Sequence, residues 1–330
     1  MKPPAFWNNP QDAPGIAARF LHPLSLLWRA ADDRRWRSGA HARVGVPVIC
    51  VGNINLGGTG KTPTVIWLVE RLRDLGVEAH VVSRGHGGRA RGPLQVAEGM
   101  DPAEVGDEPL LLAAFARVWV AKGRLEGARA AVAAGAEAIV LDDGMQNPAV
   151  AKDFTVMVVD ARTGFGNGRI VPAGPLRQSV AEGAARADLM LTIGSIADQR
   201  RFRARWAVPD TLPRMRGRIE PLQTGMDWSD MRVLAFAGIG RPEKFYETLR
   251  GLGAQVVATR AFGDHEPLPD AALQRLAREA RGAHAQLVTT EKDAARLSPA
   301  WKREVLVVPV RLVVDDEAEV MKILEQVLSA

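Results

Sequence analysis

From Val46 onward, short apolar runs alternate with segments whose apolar residues recur every three or four positions. The runs VPVICVGN, AHVVSRG, VWVA, AIVLDD, FTVMVVDA and DLMLTIG read as buried strands. The stretches from about Lys61 to Leu75, from about Asp107, and near 124–134 read as helices. Such alternation predicts βαβ units, hence a parallel sheet flanked by helices, over residues 46–202. Residues 203–229 break the rhythm with three prolines and little helical period, and read as a linker with a short extended pair. Alternation resumes in MRVLAFAGIG, QVVATRAF, AQLVTTEKD and VLVVPVRLVV, which predicts a second, smaller α/β domain over 230–330.

Residues 1–45 form a basic arm assigned to the first domain. Within it, Ile16, Phe20, Leu24, Leu27 and Trp28 recur at helical spacing, interrupted by Arg19, His22 and Arg29. That pattern is amphipathic; it lacks the roughly 20 predominantly apolar residues of a membrane span and the clean apolar core of a signal peptide. Two readings fit: a helix packed on its own domain, or an interfacial helix with Trp28 and Trp36 at headgroup level and Arg34, Arg35 and Arg37 on anionic lipid.

Composition sharpens the choice of partner. The chain has 330 residues with 43 Lys+Arg against 38 Asp+Glu, a net charge of +5, and length for about two domains. Most of the excess lies in the arm, where Lys2, Arg19, Arg29, Arg34, Arg35, Arg37 and Arg43 face only Asp12, Asp32 and Asp33. A nearly neutral body with one basic arm suits a local anionic surface and argues against a nucleic-acid partner. Cys50 alone excludes a disulfide framework and suits a reducing, cytoplasmic setting.

The strongest chemical signal is VGNINLGGTGKTPTVIWLVERL. A strand enters a glycine-rich turn, and Lys61 and Thr62 open a helix, the context a phosphate-binding loop requires. Asn55, Leu56, Gly57, Gly58, Thr59, Gly60, Lys61 and Thr62 are the candidate nucleotide-binding residues. Their backbone N–H groups and the helix N-terminus would cradle phosphates, with Lys61 neutralising charge and the Thr62 hydroxyl meeting Mg²⁺. One departure stands out: the consensus glycine five residues before Gly60 is Asn55. AIVLDDGMQ supplies the acidic companion, because a strand ends in Asp142 and Asp143, where open α/β sheets place ligands. Asp142 is the first Mg²⁺ candidate, with Asp143 beside it.

These features predict nucleotide binding for two classes of protein. A P-loop switch ATPase that recruits a protein partner is one. Partitioning-type ATPases carry a lysine before the double glycine, where this chain has Leu56, and the base-reading motif of small GTPases is matched only with wrong spacing at Thr290-Glu-Lys-Asp293. TTEKD reads more simply as a strand end and helix cap. The other class is a kinase, which needs a further group to orient or deprotonate an acceptor hydroxyl.

The blocks VGNINLGGTGKTP, SRGHGGR, VGDEPLLLA, LDDGMQNP, FGNGRIVPAGPLRQ, AFAGIGRPEKFYETL, FGDHEPL and TTEKDAARL, in this order, resemble the tetraacyldisaccharide 4′-kinase family over nearly the whole chain. The resemblance implies a P-loop NTPase-like fold and transfer of the γ-phosphate of ATP, with Mg²⁺, to the 4′-hydroxyl of an acylated glucosamine disaccharide 1-phosphate, giving lipid IVA. It implies Lys61 and Thr62 as the P-loop pair and Asp142 and Asp143 as the acidic pair. It also implies Asp107 as the base and His265 as its support, with closure of the two domains over the substrates. Alone, Asp107 reads as a helix N-cap and His265 as a loop histidine. His86, Asn147 and Gln178 stand where the family pattern has Tyr, His and Glu, and Arg84 and Arg177 are candidates for the substrate's 1-phosphate. The implied setting is peripheral, on the cytoplasmic face of the inner membrane, with an anionic membrane surface as partner and no obligatory protein partner, which favours docking of the arm.

Overall fold

The computed structural model describes residues 3–263 and 266–329. Its strands are β1 (Val48–Gly52), β2 (Ala79–Ser83), β3 (Leu94–Gln95), β4 (Arg117–Val120), β5 (Ala138–Asp142), β6 (Phe154–Asp160) and β7 (Leu189–Ile193). They continue with β8 (Arg214–Pro221), β9 (Arg232–Ala237), β10 (Gln255–Ala261), β11 (Gln286–Thr290), β12 (Leu306–Val308) and β13 (Val310–Val314). A nine-stranded sheet runs β13-β8-β7-β6-β1-β5-β2-β4-β3, and a four-stranded sheet runs β10-β9-β11-β12. The large sheet is parallel except at its two edges, β3 on β4 and β13 on β8. The α/β architecture expected from the alternation is therefore present.

The central strands are apolar on both faces because both faces are covered. Ile49 and Val51 of β1 join Val65, Leu68 and Leu72 of the Lys61–Asp74 helix in one core. Val48 and Cys50, pointing the opposite way along the same strand, join Ala128, Ala131 and Phe165 in the other. β1 lies between β5 and β6, so the chain crosses from one side of β1 to the other after β5. The crevice at the carboxyl ends of these strands is the place such sheets hold ligands.

Residues 203–229 contain β8, whose alternating burial places it in the large sheet beside β7. The run VLVVPVRLVV divides at Pro309. β12 pairs with β11 in the small sheet, and β13 pairs with β8 in the large one. Proline has no N–H for a ladder, so the chain can change sheets there. The Glu317–Ser329 helix then buries Val320 and Leu324 in the core under β1.

The arm forms a 22-residue helix, Ile16–Arg37, with Pro23 inside it. Its buried residues are Ala18, Ser25 and Asp32, whereas Ile16, Phe20 and Leu27 are 85%, 86% and 68% exposed. The small side chains therefore face the protein and the large apolar ones face outward. Trp36 does not follow the headgroup expectation. Its ring carries the Arg186 guanidinium at 4.1 Å and the Lys152 ammonium at 5.1 Å. Arg35 pairs with Asp32, leaving Arg34 and Arg37 exposed.

Candidate active site

The loop after β1 turns through Gly57 at φ +118° and Gly60 at φ +100°, left-handed conformations that glycine adopts without strain. Leu56, Gly57 and Gly58 are exposed, and a side chain added at either glycine would meet open space, so a ligand can reach the backbone there. Asn55 is outside the left-handed region, which removes the need for glycine at that position. Its amide donates to the Gly164 carbonyl at 3.0 Å, and its backbone bridges to Leu176. Leu56 N–H donates to Pro175 O, and Arg177 N–H to Ile54 O, both at 2.7 Å. The FGNGRIVPAGPLRQ segment thus forms one wall of the phosphate loop. Thr59 is buried and accepts from the Asn53 amide at 3.0 Å, while Lys61 and Thr62 are half-buried at the helix start.

The acidic pair sits at the end of β5, next to β1. Asp142 is buried and accepts from the Ser83 hydroxyl at 2.9 Å through Oδ2. Its Oδ1 is buried without a hydrogen-bond partner among the described residues. Burial, then the charges of Glu108 and Asp143, push its carboxyl up to about 6, with Arg124 and Lys61 offsetting part of that. Asp143 occupies φ +51° and takes a two-pronged contact from Arg177, 3.0 Å on each oxygen. Lys61 Nζ lies 3.8 Å from it. Burial raises the Asp143 carboxyl, but Lys61 and Arg177 outweigh burial and hold it below the usual range.

Several supports had no signal in the sequence. Arg124, buried at a helix start, donates to the Asp142 carbonyl at 2.6 Å and fixes the turn. Gln146 donates to Asn53 O at 2.8 Å and accepts from Arg177 at 3.1 Å, tying the acidic turn to the phosphate loop. Lys122 donates to the carbonyls of Arg84, Gly85 and Gly88, and so holds the SRGHGGR loop. That loop interlocks with the turn before Asp107: a Cβ on Gly88 would stand 2.5 Å from Glu104 O, and one on Gly106 2.6 Å from His86 O.

Asp107 is buried and heads the Asp107–Leu112 helix, with Gly106 as the capping residue, one position before the expected cap. Arg296 Nη1, on the smaller unit, lies 3.5 Å from its Oδ2. Beside it, Lys292 contacts Glu108 at 3.4 Å. Farther along the cleft, Arg241 and Lys244 reach Asp160 at the end of β6, and Arg241 also donates to Gly58 O at 3.4 Å. The small sheet therefore closes on the crevice of the large one. His265 lies outside the described residues.

Asn147 accepts from Ala149 N–H within its own turn, and Gln178 accepts from Arg186; among the described residues neither hydrogen-bonds the acidic pair. The Arg177 guanidinium is committed to Asp143 and Gln146, while Arg84 is exposed on its loop. Thr290 caps the Glu291–Ala294 helix by accepting from Asp293 N–H, as the TTEKD pattern suggests.

The tetraacyldisaccharide-1-P 4′-kinase family matches residues 17–329. A tetraacyldisaccharide 4′-kinase of Dinoroseobacter shibae is 57% identical over 96% of this chain and 95% of its own. One from a Jannaschia species is 53% identical over 99% of both. A crystal structure of LpxK from Aquifex aeolicus in complex with ATP shares the fold, with a TM-score of 0.77 over 95% of this chain and 100% of that one, at 23% identity.

Proposed function

Because this chain belongs to the tetraacyldisaccharide-1-P 4′-kinase family, we propose that it transfers the γ-phosphate of ATP to the 4′-hydroxyl of a tetraacylated glucosamine disaccharide 1-phosphate, forming lipid IVA. The observation that carries this reading is the meeting of the phosphate loop after β1 with two unlike carboxylates after β5 at one end of the sheet. The loop amides and the start of the Lys61–Asp74 helix bind the β- and γ-phosphates, and Lys61 moves its charge from Asp143 toward them. Asp142, with a buried unpartnered oxygen, and the Thr62 hydroxyl would supply oxygen ligands of the kind Mg²⁺ takes. A Mg²⁺ held by these residues would neutralise charge on the phosphates. Asp143, clamped by Arg177, fixes the geometry next to it.

Asp107 takes the proton of the 4′-hydroxyl as that oxygen bonds to Pγ and the bond from Pγ to the departing ADP oxygen breaks. The assignment of Asp107, with support from His265, rests on the family resemblance; the burial of Asp107 and its place at the closed cleft are consistent with it.

The acceptor is a lipid, and the arm suits delivery from a membrane surface at the cytoplasmic face of the inner membrane. Among the described residues no helix is long and apolar enough to cross a membrane. Ile16, Phe20, Leu24 and Leu27 instead share one exposed stripe, and a contiguous apolar patch beside Arg34 and Arg37 is the signature of interfacial docking. Trp28 Nε1–H donates to the Arg177 carbonyl at 3.0 Å, so the docking helix is pinned to the wall of the phosphate site.

Incubation with γ-labelled ATP, Mg²⁺ and the tetraacylated acceptor tests the reading. Label should enter the lipid far faster than free phosphate appears, and the new phosphate should map to the 4′ position by NMR. Slow hydrolysis stimulated by a protein, with no labelled lipid, would instead identify a nucleotide switch.

A further inference from the structure

Arg296 joins the two proposed catalytic elements. Its side chain is 6% exposed and sits at the boundary between the two sheets. Nη1 lies 3.5 Å from Asp107 Oδ2 and donates to the Glu266 carbonyl at 2.7 Å. Nη2 binds Asp293 and donates to the Gly238 carbonyl at 3.4 Å. Glu266 directly follows His265 in the chain, and its own carboxylate accepts from Gly263 N–H at 2.5 Å. One guanidinium therefore touches Asp107 on the large unit and the Glu266 backbone on the small one.

The anchor behind Arg296 is rigid. Asp293 is fully buried, accepts Gly238 N–H on both oxygens at 3.1 Å and accepts the Thr290 hydroxyl at 2.7 Å. A carboxylate so fixed leaves the guanidinium few orientations. The planar fork can serve two carboxylates and two carbonyls at once, which a single ammonium cannot. At 3.5 Å the contact with Asp107 is a charge contact longer than an ordinary hydrogen bond. The cation faces the carboxylate across this contact and restricts its orientation.

We infer that Arg296 is a positioning residue for phosphoryl transfer: it acts through Asp107, holding that carboxylate in place against the smaller unit at Glu266 and Asp293. This inference rests on the reading of Asp107 as the base. The competing role is a plain structural tie between units, which would act on the fold and not through Asp107.

A double-mutant cycle separates the two roles. The turnover of Arg296→Met, Asp107→Asn and the double variant would be measured with ATP and the tetraacylated acceptor, alongside ATP affinity and thermal melting. Arg296→Met should lower kcat on the order of 100-fold with ATP affinity within about twofold, and Arg296→Lys should recover about tenfold of that. In the Asp107→Asn background, Arg296→Met should cost less than about threefold. Multiplying losses, or unchanged turnover in Arg296→Met, would overturn the inference while leaving the base assignment standing. Full turnover in Asp107→Asn would overturn both. If Arg296→Met loses its cooperative melt, the cycle with Arg296→Lys decides by the same criterion.

Discussion

Asp142 and Asp143 are adjacent in sequence and opposite in electrostatic setting. Asp143 is held ionised by Lys61 and Arg177, whereas Asp142 is raised by burial, Glu108 and Asp143. A carboxyl whose folded value exceeds its unfolded value destabilises the fold once it must ionise. The penalty is absent below about pH 4 and complete above about pH 6, and amounts to on the order of 3 kcal/mol. Asp142→Asn should therefore melt a few degrees higher than the wild type at pH 8 without metal, while losing about 100-fold or more in kinase turnover. Calorimetry checks the first effect and label transfer the second; a lower melting temperature would contradict the electrostatic account. At this scale the sequence displays Lys61, Thr62 and the Asp pair because their chemistry is local to one turn each. Ser83, Arg124 and Gln146 act across strands on groups 59, 18 and 93 residues away, and Arg296 acts on Asp107 in the other unit, so no local pattern marks them.

The N-terminal helix shows what periodicity can and cannot give about an element. Its amphipathic spacing is evident in the sequence, yet the inward face is the one bearing Ala18, Ser25 and Asp32. Hydrophobicity alone would choose the opposite face, because self-packing is the usual fate of an apolar stripe. Ser25 donates to Ile170 O at 2.7 Å and Trp28 to Arg177 O, contacts that need the folded 165–178 segment. Replacing Phe20, Leu24 and Leu27 together with Ser should cut binding to anionic vesicles about tenfold or more, and leave ATP affinity and melting temperature unchanged. Vesicle flotation measures this. Undiminished binding would mean that the stripe serves another contact. The division of VLVVPVRLVV is a second example, since it reads as one apolar run of the smaller domain, yet it supplies strands to two sheets.

On the scale of the whole molecule, the parallel sheet and the smaller α/β unit follow from the alternation of elements, but their mutual placement is set by ion pairs across the cleft. Asp160 with Arg241 and Lys244, Asp107 with Arg296, and Glu108 with Lys292 close the small sheet over the phosphate loop. Burial raises the Asp160 carboxyl, yet Arg241 and Lys244 outweigh it and hold it below the ordinary value near 4. Its contribution is thus present above about pH 4 and lost as pH falls through the lowered value. Asp160→Asn should loosen closure at neutral pH, read as a larger radius of gyration by X-ray scattering, whereas the wild type should hold its dimensions down to about pH 4. In the proposed mechanism nucleotide binding belongs to the large unit, while transfer needs Asp107 at the closed cleft. Single-turnover formation of the 4′-phosphate in Asp107→Asn, set against its ATP affinity, tests it most directly. A fall of about 100-fold or more in the transfer rate at unchanged ATP affinity is predicted, and transfer at the wild-type rate would contradict it.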